Sequence, residues 1–592
     1  MTASPTTAGI LVDLAMVLGV AALTTVACQR FRLPVVVGYL FAGLIIGPHL
    51  PVPLVADQGN VHTLSELGVI LLMFSLGLEF SLKKLLRAGP SASMVAIIQA
   101  SFLTWAGYLV GRMLGWSSIE SLFAGSALGM SSTMIIGKAF ESLEVKGPLA
   151  ELVLSTLIVE DLLAILLLTL LTAVASGTGL SLPALLLTIG RLAGFLVGVM
   201  ALSRWILPRF IRWVADAGND ETLLVTVVGL CFTFSLLAAK AGYSVALGSF
   251  LAGMIVAESG RERKVEHLVL PLRNVFVAVF FVSIGMLIDP AQLLPNWKAL
   301  VAFGILVLVG KFVSAAFGAI LGGNSLRISL RTGASLAQIG EFSFIIASLG
   351  SSLGVIGPAL FPVLVATCAW TTLTTPLLIK HSDSLADGIE RRLPRTFRHF
   401  LLHHRAAMGH LRSLPFRKAS WFYLRRPFGY LVLDSLLVIV SIGLGAMVHR
   451  ALTPLVEARG VSHAVAVYLV WFLVGGLSLR FILGILKQIR CIARAIADRA
   501  ILVSGDRTEG MTDAIRFFIE LALGATVALP LVALLQPLLP TGLVPVLALA
   551  ALLVSGLLLW RRMGAIQRRW LEGTDELVRR QPDQEGPPSS AP

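Results

Sequence analysis

The chain has 592 residues, of which 56% are hydrophobic and only 14% charged, and its formal net charge is +14. Since an average soluble domain is about 25% charged, this composition excludes a soluble globular protein and indicates a protein that crosses the membrane many times. The Lys and Arg residues lie in short clusters between apolar stretches, as in cytoplasmic loops, so the positive charge indicates membrane orientation and no nucleic-acid partner.

Apolar runs long enough to cross a bilayer fill the first two thirds of the chain. The first run contains Asp13 and has no basic segment before it, so we interpret it as a transmembrane helix and not as a cleaved signal. Four more runs follow a basic, largely polar stretch. The predicted spans are residues 8–28, 33–49, 61–81, 90–114, 118–140, 149–175, 181–205, 220–240, 243–258, 268–288, 298–322, 329–351 and 355–380, then 429–449, 463–484, 516–537 and 541–560.

These runs divide the chain into four parts. We predict a transmembrane domain at residues 1–380, a basic cytoplasmic linker at 381–428, an accessory membrane domain of unassigned role at 429–570, and a disordered tail at 571–592. With the N-terminus outside, the loops that face the cytoplasm carry the Lys and Arg residues and the opposite loops carry almost none. The sequence therefore predicts a multi-pass protein of the bacterial inner membrane with a cytoplasmic C-terminus.

Short motifs recur in the same order at offsets of 208 to 210 residues. The offset relates predicted span two to nine, three to ten and five to twelve, and a shift of seven spans inverts the direction across the membrane. Inverted repeats are typical of secondary transporters, whose substrate site lies near the bilayer midplane where the repeats meet. The matched motifs are residues 38–43 with 248–253, 75–77 with 283–285, and 125–128 with 333–336.

The fifth and twelfth predicted spans, which the repeat relates, are rich in residues that weaken a helix. Glycine lowers helix stability, and hydroxyl or amide groups compete for backbone hydrogen bonds, so both spans are expected to unwind where they line a cavity. Two unwound helices that cross would direct carbonyl oxygens and half-helix ends at one point, which suits a dehydrated cation. The alternative is ordinary packing of small residues. The polar candidates are Ser131, Ser132 and Thr133 in the fifth span and Gln338 and Glu341 in the twelfth.

Two adjacent carboxylates, Glu160 and Asp161, lie near the middle of the apolar stretch 149–175. A charge at bilayer depth costs from roughly 3 to over 10 kcal/mol, so such residues usually mark an ion or proton path. The two side chains are about 100° apart around their helix, so one is expected to reach a fixed partner and the other a cavity. Lys311, in the middle of another span, is the expected partner. With Glu341, three acids against one lysine favour K⁺, Na⁺ or H⁺ as substrate, and neither a cofactor nor another metal is predicted.

Other functions remain open on the residues alone. A gated K⁺ efflux pathway with channel-like flux, or a non-transporting sensor on the same scaffold, also fits the pattern. An intramembrane aspartyl protease needs one aspartate on each of two helices, whereas the acids here adjoin, so the chain is not expected to be an enzyme. Selectivity between K⁺ and Na⁺ depends on cavity size and ligand flexibility, so both cations stay open.

Seven stretches of the sequence form a distinctive set: residues 33–48, 66–81, 131–133, 159–161, 247–259, 279–290 and 336–344. They include the leucine-proline start of the second span, the serine-serine-threonine of the fifth and the glutamate-aspartate of the sixth. Together they resemble Kef-type members of the monovalent cation:proton antiporter-2 family. The resemblance extends over about residues 8–380, which is roughly two thirds of the chain.

This resemblance implies an all-α fold of about thirteen helices with an inverted repeat and crossed discontinuous helices, followed here by about four extra C-terminal helices. It implies a homodimer in membrane lipid, with a dimerisation domain and a moving core domain. Asp161 matches the acid that binds cation and proton alternately, Glu160 its variable neighbour, and Lys311 the base that pairs with that neighbour. Electrogenic relatives have Asp-Asp at the acidic pair, so the Glu-Asp pair leaves the stoichiometry open.

The C-terminal third departs from the family. Kef-type systems commonly end in a nucleotide-binding domain, and here no strand followed by a Gly-rich turn opens the C-terminal third. Gating by a nucleotide or glutathione on an attached domain is therefore not expected. The C-terminal block is left with an unidentified regulator as its only suggested partner.

Overall fold

The computed structural model of the protein describes residues 7–30, 35–49, 57–79, 82–175, 194, 207–241, 244–393, 418–457, 463–504 and 509–538. The chain forms two compact units. One comprises Met1–Ala319 with Leu326–Arg391, and the other Ile320–Ser325 with Arg392–Pro592. The secondary structure of the described residues is entirely helical.

The helices of the first unit follow the apolar runs of the sequence. They are α1 Thr7–Arg30, α2 Val35–Ile46, α3 Gln58–Glu79, α4 Leu82–Met113, α5 Ser118–Leu128, α6 Thr133–Ser142, α7 Pro148–Ala175, α8 Leu207–Ala217, α9 Asp220–Lys240, α10 Val245–Ala257, α11 Glu262–Met286, α12 Pro290–Leu293, α13 Trp297–Ile305, α14 Phe312–Leu321, α15 Leu326–Ser335, α16 Glu341–Ser352 and α17 Leu360–Arg392. The helical path is irregular at two places. Helix α4 breaks at Gly89, which has a left-handed φ of 74° and precedes Pro90. A π-helical segment, Leu306–Lys311, joins α13 to α14.

Eleven helices in the described part of the chain are long and apolar enough to cross a membrane, and α2 and α10 are shorter apolar helices. The fifth and twelfth predicted spans each form two helices, α5 with α6 and α15 with α16. The predicted all-α polytopic fold is confirmed. The predicted spans at residues 181–205 and 541–560 and the tail at 571–592 lie, apart from Gly194, outside the described residues.

The last helix of the first unit, α17, extends to Arg392, beyond the predicted end of its span at residue 380. Hydropathy falls at this point, but the helix continues because its polar face has partners. Arg327 Nε on α15 donates to Asp383 Oδ1 at 2.9 Å, and Ala386 is buried against Leu330. The first part of the predicted linker is therefore a helical extension packed on α15.

The inverted repeat is visible in two close contacts between helices. Gly43 on α2 faces Gly285 on α11, and Gly77 on α3 faces Gly253 on α10. A Cβ atom on Gly43 would lie 2.6 Å from Gly285 Cα, and one on Gly77 would lie 2.9 Å from Gly253 Cα. The repeat offset relates Gly43 to Gly253 and Gly77 to Gly285. The two glycine contacts are therefore equivalent under the repeat: each pairs a glycine of the first half with one of the second half.

The second unit consists of α18 Lys418–Glu457, α19 His463–Ser504, α20 Glu509–Leu535 and a 3₁₀ turn, Gln536–Leu538. The first two helices pack along each other through small and polar residues. Ser441 Oγ and Ser478 Oγ are 2.8 Å apart, and the Asp434 carboxylate lies against Gly484. Apolar residues from all three helices form its core: Leu431, Val438, Ile485, Ile489, Ile492 and Leu535.

Candidate cation and proton site

Two interrupted helices cross in the first unit. The non-helical stretch between α5 and α6 covers residues 129–132, and that between α15 and α16 covers residues 336–340. Gly340 N donates to Met130 O at 3.0 Å, and a Cβ atom on Gly340 would lie 2.6 Å from the Ser131 carbonyl carbon. The two backbones are therefore in direct contact at Ser131 and Gly340.

The half-helices of the two interrupted spans begin at positions that the repeat relates. The starts of α5 and α15, residues 118 and 326, are 208 residues apart, and so are the starts of α6 and α16, residues 133 and 341. Ser132 has extended backbone and is the N-cap of α6, where its hydroxyl accepts a hydrogen bond from Ile135 N at 3.2 Å. Such a cap satisfies one of the amide groups that a helix start leaves without an internal partner. The predicted unwinding of both spans is therefore present, and the Ser132 side chain helps to start the second half-helix.

Glu160, in the middle of α7, is only 1% exposed. Its carboxylate accepts two hydrogen bonds: from Ser131 N to Oε2 at 2.9 Å, and from Gln99 Nε2 on α4 to Oε1 at 2.7 Å. The acid is thus attached to the interrupted stretch of the fifth span. Both of these hydrogen bonds come from N–H groups, which match the acceptor-only chemistry of an ionised carboxylate.

Lys311 is fully buried and is the last residue of the π-helical segment. Its ammonium group donates to Ser131 Oγ at 2.9 Å and to Gln338 O at 2.7 Å, so it binds both interrupted stretches. No oxygen of Glu160 lies within ion-pair distance of Lys311, and Ser131 connects the two charges through its N–H and its hydroxyl. A π-helical turn inserts one residue and often marks a functional site; here it ends at this lysine.

The remaining predicted residues surround this network. Gln338 is fully buried, and its carboxamide lies 3.2 to 3.4 Å from backbone carbonyl oxygens in both interrupted stretches. Glu341 is buried at the first turn of α16, where a helix N-terminus favours a carboxylate. Thr133 is half-buried at the start of α6, and its hydroxyl has no hydrogen-bond partner within the described ranges. Asp161 is half-buried, in contrast to its neighbour Glu160.

Two contributors to the network were not identified from the sequence. Gln99 contacts both Glu160 and Ser131, and its signal was a single amide in the middle of an apolar span. Cys368 on α17 donates from Sγ to Ile339 O at 3.5 Å. The repeat itself is the signal for the cysteine, because an offset of 208 carries Glu160 to Cys368 and Ser131 to Ile339.

The match to known proteins covers the part of the chain that holds this network. Residues 16–380 match the family model described as "Sodium/hydrogen exchanger, transmembrane". The chain belongs to this family. The resemblance to Kef-type members of the monovalent cation:proton antiporter-2 family is confirmed by this match and by the relatives that follow.

Three relatives are similar to the same region. The "Putative cation/proton antiporter YbaL" of Escherichia coli is 36% identical over 374 residues, which are 62% of this chain and 66% of the relative. The "K(+) efflux antiporter 5" of Arabidopsis thaliana is 33% identical over 375 residues, again 62% and 66%. The "K(+)/H(+) antiporter subunit KhtU" of Bacillus subtilis is 27% identical over 372 residues, or 62% and 91%. The chain thus spans just under two thirds of the length of the first two relatives.

Proposed function

We propose that this protein exchanges a monovalent cation, K⁺ or Na⁺, for H⁺ across the bacterial inner membrane by alternating access. The observation that carries the proposal is the crossing of two interrupted helices at Ser131, where Glu160 and Lys311 are both bound, with Asp161 next on the same helix. Family membership supports the class of function. K⁺ is the first cation to test, because two of the relatives are named for it.

Asp161 is the proposed carrier. Its half-buried side chain contrasts with the closed surroundings of Glu160, as a group that meets ions from an aqueous cavity requires. In its ionised form Asp161 binds the cation, assisted by the hydroxyl of Thr133 and by backbone carbonyl oxygens of the crossing. A proton on Asp161 removes that charge and releases the cation, so the two ligands compete for one group.

The charges of the network set the stoichiometry. If Glu160 stays negative and Lys311 positive, they cancel, and Asp161 is the one group that changes charge. One proton then replaces one monovalent cation and no net charge crosses the membrane. If Lys311 also releases its proton during the cycle, two protons move for each cation. We favour the one-for-one exchange because the Lys311 ammonium group is held in place by hydrogen bonds to both interrupted stretches.

The same proposal covers the assembly and the orientation. We propose a homodimer in membrane lipid with the N-terminus outside, in which the first unit transports and the second is an accessory membrane domain. Removal of residues 425–592 tests the proposed accessory role of the second unit. Unchanged exchange by the truncated protein makes the block accessory, whereas intact folding with altered control of exchange makes it a regulatory domain.

Purified protein in liposomes tests the role of Asp161. Addition of K⁺ or Na⁺ should dissipate a preformed pH gradient with the wild-type protein and not with Asp161→Asn. Glu151→Gln is the matched control, because Glu151 is an exposed acid at the first turn of the same helix. Undiminished exchange by Asp161→Asn would refute the assignment. A rate that does not saturate with cation would indicate the channel-like alternative.

A further inference from the structure

Gln99 is a fully buried amide in the middle of α4, and it bridges the acid and the crossing. Its Nε2 atom donates to Glu160 Oε1 at 2.7 Å and lies 3.2 Å from Ser131 Oγ. Its other end, Oε1, is buried and has no hydrogen-bond partner among the described residues. A buried acceptor without a partner is costly, so this end of the side chain calls for an explanation.

The surroundings of Glu160 explain it. The carboxylate is contacted by donor groups of Gln99 and Ser131, and these suit its ionised form. A protonated acid would need an acceptor for its O–H, and Gln99 Oε1 is the one unpartnered acceptor on the contacting side chain. Rotating the amide by about half a turn would exchange donor for acceptor. The orientation in the structure is therefore the one that matches a charged Glu160.

The charge on Glu160 affects the charged groups around it. Lys311 acts on Glu160 through Ser131, and Asp161 adjoins Glu160 on α7. From the other elements, Cys368 on α17 donates to Ile339 O in the second interrupted stretch, and Glu341 begins α16 directly after that stretch. With Glu160 negative, Lys311 is neutralised and does not repel a cation at Asp161. With Glu160 protonated, the full charge of the lysine opposes cation binding.

We propose that Gln99 is a positioning residue that holds Glu160 as the charge partner of Lys311 and so keeps the neighbouring site able to bind a cation. The inference rests on the proposed antiport. Without the Gln99 donor, Glu160 loses one of the hydrogen bonds that favour its ionised form. Cation binding should then weaken more steeply than in the wild-type protein as the pH falls.

The test compares Gln99→Met, which keeps the length of the side chain and removes the donor, with the wild-type protein in liposomes. The KM for the cation should rise about tenfold at mildly acidic pH, the scale of one hydrogen bond to a charged group, and its difference from the wild-type value should become smaller as the pH rises. The kcat should change little. Ser93→Ala is the matched control, because Ser93 Oγ on the same helix donates only to its own helix, at Gly89 O.

A swap variant, Gln99→Glu with Glu160→Gln, keeps one carboxylate and one amide in contact. It should show the wild-type pH profile of KM. If Gln99→Met does not fold, this variant tests the positioning role of residue 99 in its place. An unchanged KM profile in Gln99→Met, or a folded swap variant without exchange, would overturn the inference while leaving the antiport in place. Absence of exchange by the wild-type protein would instead refute the proposed function itself.

Discussion

Glu160 and Lys311 meet at one residue, Ser131, which donates its N–H to the carboxylate at 2.9 Å and accepts from the ammonium group at its hydroxyl at 2.9 Å. Two opposite charges are thereby held apart by a single backbone unit of an interrupted helix. Since a buried charge without compensation is strongly destabilising, the position of this backbone unit depends on both side chains. The same contact therefore joins fold stability to the proposed transport.

The Ser131 hydroxyl is predicted to contribute to cation binding. Ser131→Ala keeps the N–H to Glu160 and removes the acceptor of Lys311 and Gln99. The loss should weaken cation binding about tenfold or more, because a hydrogen bond to a charged group is worth about 1.5–3 kcal/mol. Ser126→Ala is the control on α5, since Ser126 Oγ is buried without a partner among the described residues. Equal cation affinities in the two variants would contradict this role.

A methyl group at the crossing is predicted to be poorly tolerated. Gly340→Ala would place Cβ 2.6 Å from the Ser131 carbonyl carbon. Relief requires the two backbones to separate, and overpacking of this kind costs about 1–3 kcal/mol. The expected result is a lower melting temperature in detergent together with reduced exchange. Gly137→Ala in α6 has no atom within 4 Å of its Cβ position and should not lower the melting temperature.

Removal of one buried charge is predicted to destabilise the protein more than removal of both. Lys311→Met leaves Glu160 without its compensating charge and should destabilise the protein by about 3–5 kcal/mol. The double variant with Glu160→Gln should recover a large part of that loss, because no uncompensated charge remains. Denaturation of the single and double variants in the same detergent measures the coupling. Additive effects would show that the two charges do not interact through Ser131.

The double variant of Lys311→Met with Glu160→Gln is expected to change the stability of the protein without abolishing exchange. It lacks both charges of the network but retains Asp161, so one-for-one exchange is expected to continue, with altered cation affinity. The measurement is the cation gradient that balances a given pH gradient, which reports the ratio of protons to cations independently of rate. The ratio should equal that of the wild-type protein. A ratio that falls from two protons per cation to one would show that Lys311 carries a proton in the wild-type cycle.

The sequence could predict the parts of the site that break a rule of membrane helices. Glu160, Asp161 and Lys311 are costly charges in apolar spans, and the glycine and hydroxyl residues of the fifth span weaken a helix, so both features were recognisable. The repeat offset located the second interruption from the first. The apolar periodicity likewise gave the helices of the fold.

The connection between the charges could not be predicted. Glu160 and Lys311 were expected to pair directly, whereas the structure joins them through Ser131, because their separation depends on how two interrupted helices cross. Gln99 gave only a weak signal, since single amides also occur in helix packing. The π-helical turn that ends at Lys311 had no counterpart in the apolar pattern at all.

Uphill proton movement in liposomes tests the central claim most directly. The purified wild-type protein is reconstituted at equal internal and external pH, and an outward gradient of K⁺, or of Na⁺ in a parallel sample, is imposed while the internal pH is followed with a dye. The account predicts that the lumen acidifies as cations leave, saturably with cation concentration, and that Asp161→Asn shows no change. A constant internal pH with both cations, in folded wild-type protein, would contradict it.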